Sequence, residues 1–494
     1  MNIVVLGGGT AGWLTALHAN KYYPNLNVFV VESEEIGILG AGEGTTPQIV
    51  GHLDELNIAV SELVKNCKAT IKTGINFQNW NGDGKKYFHS FQTNAGLRDF
   101  SSLAFTRNVI ENLSNDNINL PKKLCDVKKV PFTYAQNVDC LNTDPINSFY
   151  QYATWALHFD ARELAKYLRM VAENRGITRI EGKLKSVLRD GNNIKALALE
   201  NGDSIDSDFV FDCSGFARLL IGKTFETEWI SYSDHLPLDT AVPFFIPHDN
   251  DVSPLTDAIA MKYGWIWRIP VEGRYGCGYV FDSSYIDEEQ ALKEAEEFFG
   301  QKLTSPKTFK FKAGTYKDTY VGNCMAVGLA QSFVEPLEAT SIWINLINLK
   351  TFLDTKGIFN KSEVYRDTFN KFCRDNNQEV LDFLYLHYLT KRNDSLFWKE
   401  FREKHPMIKR VSDSIELIKQ NQTPLFTRKL FEVPNWLQVS RGLEIITKDD
   451  YIEDYKRSNP NSVEMAYLQL EHNQNNIIKS CVTHKELLDY LRQF

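Results

Sequence analysis

The first thirty residues alternate between apolar and polar stretches in the order strand, turn, helix, strand. Residues Ile3-Val4-Val5-Leu6 form a continuous apolar run, as expected of a buried parallel strand. Apolar side chains recur at helical spacing from Trp13 to Lys21, and a second apolar run from Asn27 to Val31 ends at Glu32. The pattern predicts one βαβ unit.

A second set of alternating stretches follows in the next part of the chain. Asp160 precedes an amphipathic segment that runs to Asn174 and predicts a capped helix. Strand-like stretches then flank the turn residues 190–193, another turn signal lies at 201–203, and a further strand is expected at 209–211. These elements predict a Rossmann-type sheet with a small antiparallel layer.

The remaining pattern divides the chain into regions of different character. Residues 230 to 320 are rich in aromatic and β-branched side chains and predict a second sheet, whereas the pattern beyond Thr340 is mainly helical, for example at 364–372 and 379–389. The fold class is therefore α/β, in the mixed α+β sense. We predict a Rossmann-type core at 1–230, the second sheet at 231–345 and a helical region at 346–494.

Composition agrees with a globular protein of two or three domain-sized units. The chain has 494 residues, of which 43% are apolar and 24% charged, with a net charge of −8. This acidic balance gives no electrostatic argument for binding nucleic acid or an anionic membrane.

The cysteines and histidines carry no recognisable metal or disulfide pattern. Eight cysteines are scattered without a CxxC pair, and ten histidines show no ligand-like spacing, so reduced thiols and no structural metal are expected. No apolar run is long enough to span a bilayer, and the first apolar run ends in glycines, unlike a signal peptide. We expect a cytoplasmic protein.

The glycine turn after the first strand indicates a dinucleotide site. Gly7, Gly9 and Gly12 satisfy GxGxxG, in which the glycines permit a tight turn, close approach of backbone to a pyrophosphate and close helix packing. Glu32 follows Gly12 by twenty residues, where a carboxylate would bind ribose hydroxyls and disfavour NADP. The loop alone does not distinguish FAD from NAD.

Two tryptophans separated by one residue form a second distinctive motif. Trp265 and Trp267 lie in a WxWxIP sequence, and side chains two apart on a strand point to the same face. Both indoles could then cover one wall of a cavity. The alternative interpretation of the pair is ordinary core packing.

Taken together, these motifs resemble the flavin-dependent halogenases, the family that includes the tryptophan halogenases. The resemblance covers roughly the first 345 residues and continues more weakly beyond. It rests on six segments in this order: Gly7–Trp13, Gly42-Glu43-Gly44-Thr45-Thr46-Pro47, Ile71-Lys72-Thr73-Gly74-Ile75-Asn76-Phe77, Cys213-Ser214-Gly215-Phe216, Trp265 with Trp267, and Phe333-Val334-Glu335-Pro336-Leu337-Glu338-Ala339-Thr340-Ser341-Ile342.

The resemblance implies a reaction and a role for individual residues. FADH2 from a separate flavin reductase would react with oxygen to a flavin hydroperoxide, which a halide ion (chloride, bromide or iodide) would attack to give hypohalous acid. Lys72 matches the lysine that receives this oxidant, and Glu338 matches the carboxylate opposite it. Backbone amides at Thr340 and Ser341 match the halide site, and Trp265 and Trp267 match the wall between flavin and substrate.

The same resemblance, together with the glycine loop, assigns the residues that would bind FAD. They are Gly7, Gly9, Thr10, Ala11, Gly12, Trp13, Glu32, Ser33, Ile36, Glu43, Gly44, Val187, Leu329 and Ile342. Of these, Val187 is expected near the adenine, Leu329 beside the ring system, and Glu43 and Gly44 in a strap between the flavin and halide sites. For the apolar Val187 and Leu329, core packing is an equal alternative.

Elementary chemistry is consistent with these roles. A lysine ammonium can hydrogen-bond hypohalous acid, or its neutral form can become a haloamine. A nearby carboxylate can hold the ammonium and accept the proton that the halogenated ring loses, and two consecutive amides can form a small anion site. Taken singly, Lys72 would be a solvated surface residue and Glu338 a helix cap.

The substrate and two rival functions stay open. Ser341 stands where glycine is common in the tryptophan-specific members and Ala339 where serine is common, and no residues of 430–460 match those that grip the amino-acid group of tryptophan. Other indoles, phenols, pyrroles or a carrier-bound aromatic are alternatives. The rivals are a flavin-dependent aromatic monooxygenase and a non-catalytic flavin-binding protein. We expect a small aromatic substrate, no nucleic acid and no membrane, with a homo-oligomer as an option.

Overall fold

The helices account for most of the C-terminal part of the chain. A computed structural model describes residues 1–37, 42–91, 103–135, 144–420, 422 and 430–494. The α-helices of these residues are α1 (Thr10–Tyr22), α2 (Gln48–Glu55), α3 (Val60–Asn66), α4 (Leu103–Ile110), α5 (Leu120–Asp126), α6 (Ala161–Asn174), α7 (Glu288–Phe299), α8 (Ser341–Asp354), α9 (Glu363–His387), α10 (Leu396–Lys404), α11 (Lys409–Lys419), α12 (Val433–Gly442), α13 (Lys448–Arg457), α14 (Pro460–Ser480) and α15 (His484–Leu491).

The strands lie mainly in the first two thirds of the chain. In the same described ranges they are β1 (Asn2–Leu6), β2 (Asn27–Glu32), β3 (Glu43–Gly44), β4 (Thr70–Lys72), β5 (Gly74–Gln78), β6 (Lys86–Ser90), β7 (Phe132–Tyr134), β8 (Phe149–Gln151), β9 (Ala156–Phe159), β10 (Thr178–Glu181), β11 (Leu184–Asp190), β12 (Asn193–Leu199), β13 (Ser204–Asp206), β14 (Phe209–Asp212), β15 (Trp229–Ser231), β16 (Thr240–Pro247), β17 (Thr256–Ala260), β18 (Gly264–Val271), β19 (Arg274–Phe281), β20 (Phe309–Lys310), β21 (Gly314–Tyr316), β22 (Tyr320–Val321), β23 (Cys324–Ala326) and β24 (Ser332–Phe333).

A six-stranded sheet in the order β10-β2-β1-β14-β23-β22 forms the predicted Rossmann-type core. Strands β10, β2, β1, β14 and β23 are mutually parallel, and only β22 at the edge is antiparallel. Because helices and a second layer cover both faces, residues 3–6 of β1 and 209–211 of β14 are apolar and buried. The predicted βαβ unit β1-α1-β2 is confirmed, and so is the return strand β14.

The antiparallel layer and its preceding helix are also confirmed. Strands β11, β12 and β13 form a three-stranded antiparallel sheet whose turns lie where the sequence predicts them. The Asp160 side chain caps α6 by accepting hydrogen bonds from the backbone N–H groups of Arg162 and Glu163. This cap satisfies donors that a helix N-terminus otherwise leaves unpaired.

The second sheet contains more of the chain than the pattern predicts. It has seven strands in the order β20-β16-β19-β18-β17-β5-β6, so two strands from residues 74–90 extend the predicted region 230–320. Strand β17 pairs in parallel with β5, with Thr256 opposite Ile75. A parallel pairing across about 180 residues leaves no local signal in the sequence. It places Lys72, just ahead of β5, next to the second sheet.

The helical region contains one long helix where the sequence pattern gives two examples of helical stretches. The segment 364–372 and most of 379–389 lie in one helix of 25 residues, α9. The polar residues between these stretches fit inside the helix, because Asn376 and Asn377 are buried and hydrogen-bonded: the Asn376 amide donates to Asn348 Oδ1 at 2.9 Å, and that of Asn377 donates to the Cys373 carbonyl. A buried amide with partners is compatible with a helix interior.

The hydrophobic clusters run across the predicted regions. One cluster joins Ile3 and Val5 of β1 with Leu487 and Leu491 of α15, and another joins Phe77 of β5 with helices beyond residue 380. The described cysteines are all free and buried, while Cys140 lies outside the described residues. Among the helices in the described part of the chain, none has the length and apolar character needed to cross a membrane.

Candidate active site

The glycine loop connects β1 to α1 in the geometry that a dinucleotide requires. Gly7 has a φ of 120°, and a Cβ there would lie 2.2 Å from the Cys213 carbonyl oxygen. A Cβ on Gly12 would lie 1.9 Å from the Gly7 carbonyl oxygen. At both positions a side chain would collide with backbone that has no room to shift. Residues Thr10, Ala11 and Trp13 form the first turn of α1 with Gly12.

Gly9 differs from the other two glycines because the space around it is open. Among the described residues, a Cβ on Gly9 would meet no atom within 4 Å, and no side chain caps α1 at this residue. The first N–H groups of the helix therefore face a space that a pyrophosphate would fill, with the helix dipole favouring the anion. This open cradle fits FAD.

Glu32 lies against the loop, as the spacing predicts. Its Oε2 lies 1.4 Å from where a Cβ of Gly8 would stand, so only glycine fits at that position. Its Oε1 accepts a hydrogen bond from Arg179 Nε at 2.6 Å, which holds the carboxylate in place. Ser33 follows half-buried, and Ile36 is 72% exposed.

Other predicted flavin residues surround the same loop. A Cβ on Gly328 would lie 2.7 Å from Ala11 Cβ, which places the turn containing Leu329 beside the start of α1. Ile342 lies in the first turn of α8 and packs against the core cluster that includes Trp13. Val187 packs beneath the Rossmann-type sheet with Leu6 and Val31, near the carboxyl ends of β1 and β2.

The open space at Gly9 supplies a test that separates cofactor binding from folding. Gly9→Ala is expected to keep the melting temperature, since its φ of −78° and ψ of −177° suit alanine and its Cβ meets no atom of the described residues within 4 Å. A methyl group in the path of the pyrophosphate should weaken FAD binding roughly 10- to 100-fold. The measurement is a fluorescence titration with FAD.

Gly51→Ala is the matched control for this titration. Gly51 lies within α2, and in the described part of the chain a Cβ there also meets no atom within 4 Å. Unchanged FAD affinity in Gly9→Ala would show that the pyrophosphate does not lie over Gly9.

Lys72 is fully buried, whereas a lysine in a polar stretch of sequence is usually exposed to solvent. It ends β4, which pairs with β9, and its Nζ donates a hydrogen bond to the Thr45 carbonyl at 3.0 Å and lies 5.3 Å from the centre of the Phe91 ring. Burial lowers the pKa of Lys72 to about 7, against an opposing effect of the Glu338 charge. A buried amine that titrates near neutrality is a functional-site signal.

The predicted strap containing Glu43 and Gly44 passes directly over this lysine. Strand β3 pairs with β9 on the side opposite β4, and a Cβ on Gly44 would lie 3.2 Å from Lys72 Nζ. Burial, with a smaller contribution from Asp160, raises the pKa of Glu43 to about 7. The strap therefore places the half-buried Glu43 carboxyl two residues from the Thr45 carbonyl that accepts the Lys72 hydrogen bond.

Glu338 lies between two histidines that the sequence does not bring together. It is buried in the turn Pro336–Glu338, 2.9 Å from His89 Nδ1 of β6 and 2.9 Å from His387 Nε2 at the end of α9. These imidazoles overcome the effect of burial and hold the pKa of Glu338 at about 2. Glu338 is thus a carboxylate across the neutral range.

The hydrogen bonds around Glu338 determine where its protons are. Asn435 accepts from the Glu432 N–H, so its amide donates to His89 Nε2, and His89 must donate to Glu338 through Nδ1. His387 Nδ1 donates to the Phe383 carbonyl, so Nε2 of a neutral His387 would face the Glu338 carboxylate as a second acceptor. A hydrogen bond between these two atoms therefore needs one further proton, shared between Nε2 and the carboxylate. The cluster His89–Glu338–His387 therefore stores a proton next to the carboxylate.

The residues after Glu338 begin α8. Ala339 has a φ of 55°, which is unfavourable for a residue with a Cβ, and it turns the chain into the helix. Thr340 is fully buried, and its Oγ1 has no partner among the described residues. With Ser341 at the helix N-terminus, this corner has the donors and the positive dipole end that suit a small anion.

The two tryptophans share one face of β18, as the alternation predicts. Their ring centres lie 6.4 Å apart at an interplanar angle of 65°. Trp265 is buried and donates from Nε1 to Glu335 Oε2 at 2.8 Å, while Tyr388 donates to the same carboxyl oxygen. Burial raises the pKa of Glu335 to about 7. The wall is therefore anchored by a polar contact as well as by packing.

Sequence reasoning missed the groups that hold the predicted residues in place. His89, His387, Asn435 and Glu335 are assigned no role in the sequence interpretation. A histidine within the alternating strand 86–90 could have suggested an inward-facing polar group. Nothing local could have shown that β6, α9 and α12 meet at Glu338.

Known proteins share this fold and these sequence features. A model of the family described as tryptophan halogenase matches residues 2–454. Tryptophan 7-halogenase RebH of Lentzea aerocolonigenes is 32% identical over 416 residues, covering 81% of this chain and 78% of that protein. Tryptophan 6-halogenase SttH of Streptomyces toxytricini is 31% identical over 422 residues, covering 81% and 80%.

A solved structure extends the similarity to the whole chain. Xcc4156, a flavin-dependent halogenase from Xanthomonas campestris, is 28% identical and superposes with a TM-score of 0.87, covering 100% of this chain and 98% of that chain. The helical C-terminal part, where the sequence motifs are weaker, is therefore included in the structural match.

Proposed function

Since this chain belongs to the tryptophan halogenase family, whose members are flavin-dependent oxidoreductases, we propose that it uses FADH2, O2 and a halide ion to form hypohalous acid, which Lys72 delivers to an electron-rich aromatic substrate. The observation that carries the proposal is the buried Lys72, with its pKa near 7, beside the strap Glu43–Gly44.

The overall reaction balances without a further reagent. FADH2, O2, one halide ion and one proton give FAD, water and hypohalous acid. The aromatic ring then takes the halogen from hypohalous acid and loses a ring proton, which leaves with the hydroxide as water. Bound reduced FAD supplies the two electrons, and the side chains bind, orient and move protons.

The Rossmann-type core would hold FAD by its nucleotide end. The loop Gly7–Gly12 receives the pyrophosphate, Glu32 receives the ribose, and the half-buried Val187 lies on the side expected for the adenine. The turn at Leu329 and the start of α8 at Ile342 would hold the flavin ring system. The halide would bind at the amides of Thr340 and Ser341.

Lys72 would be the group that receives the oxidant. In its ammonium form it donates a hydrogen bond to hypohalous acid, and in its neutral form the amine attacks the halogen to give a haloamine and water. A pKa near 7 populates both forms at neutral pH, so burial makes either route available. The nearby ring of Phe91 leaves little room for water around Nζ.

Glu338 would stabilise the positive charge that develops on the substrate ring. With a pKa of about 2 it is a weak base, so we assign it first to electrostatic stabilisation. Glu338 would pass the ring proton to the hydroxide released from hypohalous acid, and the two leave as water. Trp265 and Trp267 would keep the aromatic substrate away from the flavin.

The substrate class is an electron-rich aromatic compound, and free tryptophan is one member of it. The relatives RebH and SttH are a tryptophan 7-halogenase and a tryptophan 6-halogenase. In this chain, however, the segment 430–460 lacks the residues expected to grip an amino-acid group. A free indole, a phenol, a pyrrole and a peptide-borne tryptophan therefore stand beside tryptophan as candidates.

An arene panel tests this proposal. Reduced FAD is supplied by a separate flavin reductase, and in parallel by chemical reduction, with O2 and with chloride, bromide or iodide in turn. We expect a halogenated product from at least one arene under both supplies, because reduced FAD diffuses between enzymes. Hydroxylated products without halogen would instead identify an aromatic monooxygenase, and oxidation of FADH2 without any arene product would favour a non-catalytic role.

A further inference from the structure

A group of three potential metal ligands lies between the C-terminal half of α1, away from the glycine loop, and helix α2. It consists of His18 of α1 with His52 and Glu55 of α2, and one donor atom from each residue lies within 4.8 Å of the other two. His52 and Glu55 are three residues apart, so they share a face of their helix. In a metal site with bonds of about 2.1 Å the donors are roughly 3.4 Å apart, within reach of small side-chain rotations.

The imidazoles of this group are buried without hydrogen-bond partners. His18 is 1% exposed, and in the described part of the chain neither of its ring nitrogens has a partner; His52 Nδ1 is in the same situation. The two rings meet at 89° with centres 5.2 Å apart. Leaving buried polar nitrogens without hydrogen-bond partners is unfavourable, so a bound ligand would explain their position.

From this geometry we propose that His18, His52 and Glu55 bind one divalent transition metal ion, with zinc as the best match. Two imidazoles and one carboxylate are a common protein ligand set for zinc, with a fourth position for water. Burial lowers the pKa of both imidazoles, that of His18 to about 3, which leaves their ligating lone pairs free.

Two lysines beside Glu55 oppose the binding of a cation at this site. Lys350 Nζ lies 2.6 Å from Glu55 Oε2, and Lys21 donates to the Glu55 carbonyl oxygen. Lys350 therefore competes with the metal for the carboxylate and repels its charge. Removing this ammonium should strengthen metal binding, an effect that a purely structural histidine pair would not produce.

The position of the site indicates a structural role. Helix α1 begins at the glycine loop, and α2 begins after Pro47, directly behind the strap that crosses Lys72. A metal ion that joins His18 to His52 would fix the helix that receives FAD relative to the segment that covers the lysine. Histidine spacing along the chain gives no sign of this site, because 34 residues separate its two imidazoles.

Cobalt(II) titration of the chelator-treated full chain tests the proposal. We expect one cobalt ion per chain, visible absorption typical of a low-coordinate nitrogen and oxygen site, and displacement by zinc. His18→Leu and His52→Gln should each weaken binding by roughly 100-fold or more, whereas His472→Gln, an exposed histidine on α14, should have no effect. Lys350→Met should tighten binding several-fold.

Two outcomes would overturn the assignment. One is a wild-type chain that retains no cobalt after gel filtration at a twofold excess of metal. The other is cobalt binding that is unchanged in both histidine variants. If a histidine variant does not fold, as judged by circular dichroism, the response of the folded Lys350→Met variant decides, and unchanged affinity there counts against the site.

Discussion

Lys72→Met is expected to lower the rate of aromatic halogenation by roughly 10³-fold or more, while oxidation of FADH2 continues. The buried Nζ is the group placed to take up the oxidant, and methionine has similar volume without the amine. The rate of halogenated product formation is measured by chromatography with mass detection, and FADH2 consumption by absorbance in the same reaction.

The same substitution is expected to stabilise the fold. Burial lowers the pKa of Lys72 from an ordinary 10.5 to about 7, which costs up to roughly 5 kcal/mol of stability. Because the folded pKa is the lower one, the cost is complete below pH 7 and disappears as the pH rises to 10.5. Loss of the hydrogen bond to the Thr45 carbonyl offsets part of the gain, so we expect a net increase of a few kcal/mol in urea denaturation at neutral pH.

Activity and stability therefore change in opposite directions, which separates a catalytic role from damage to the fold. Lys65→Met, which removes an exposed lysine of α3, is the matched control and should change neither quantity. A Lys72→Met variant that halogenates at the wild-type rate would show that the lysine is not the delivery group. A variant that is inactive and also destabilised would make its role structural.

Glu338→Gln is expected to reduce halogenation by roughly 10²-fold through the loss of negative charge near the substrate. It should also destabilise the protein, because the carboxylate accepts hydrogen bonds from both His89 and His387. A pKa lowered from 4.5 to about 2 corresponds to about 3 kcal/mol of stability at neutral pH. Kinetics at neutral pH and denaturation as a function of pH measure the two effects.

The stability lost in Glu338→Gln should depend on pH in a defined direction. A carboxyl group with a lowered folded pKa contributes its full stability above about 4.5 and loses it as the pH falls toward 2. The wild-type chain and Glu338→Gln should therefore differ at pH 7 and converge in acid. Glu173→Gln, at an exposed glutamate of α6, is the control. A difference that is the same at all pH values would contradict the charge-based explanation.

The sequence was most informative where the chain folds locally. The βαβ unit, the glycine loop with Glu32, the capped helix α6 and the antiparallel layer all follow from residues close together in the chain. Trp265 and Trp267 share a face because the alternation of a strand places them there. Each of these elements is predicted by a regular short-range spacing of apolar residues or by a turn residue.

Long-range pairing accounts for what could not be predicted. Strand β5 joins the second sheet through β17, which lies about 180 residues away, and Glu338 meets His89 and His387 from two distant elements. The burial of Lys72 also depends on this pairing, since a lysine in a polar stretch looks like a surface residue. That both helical stretches belong to the single helix α9 does not follow from the pattern, because the buried asparagines between them find partners only in the folded chain.

The roles of the site residues and the three predicted regions remain predictions. For FAD, the open space at Gly9 and the position of Glu32 favour the assignment. Exposed Ile36 is the least supported member of the set, because its side chain contacts no core cluster in the described residues. The sequence analysis predicts no structural metal, and the metal site proposed at His18, His52 and Glu55 disagrees with that prediction.

The most direct test of the central claim follows the halogen atom itself. The full chain is given FADH2, O2, an electron-rich indole and bromide as the only halide, and the products are analysed by mass spectrometry. We predict an indole product with the paired isotope peaks of bromine, which is lost when bromide is omitted and in the folded Lys72→Met variant. A product that gains the mass of an oxygen atom, with or without bromide, would contradict the account and identify a monooxygenase.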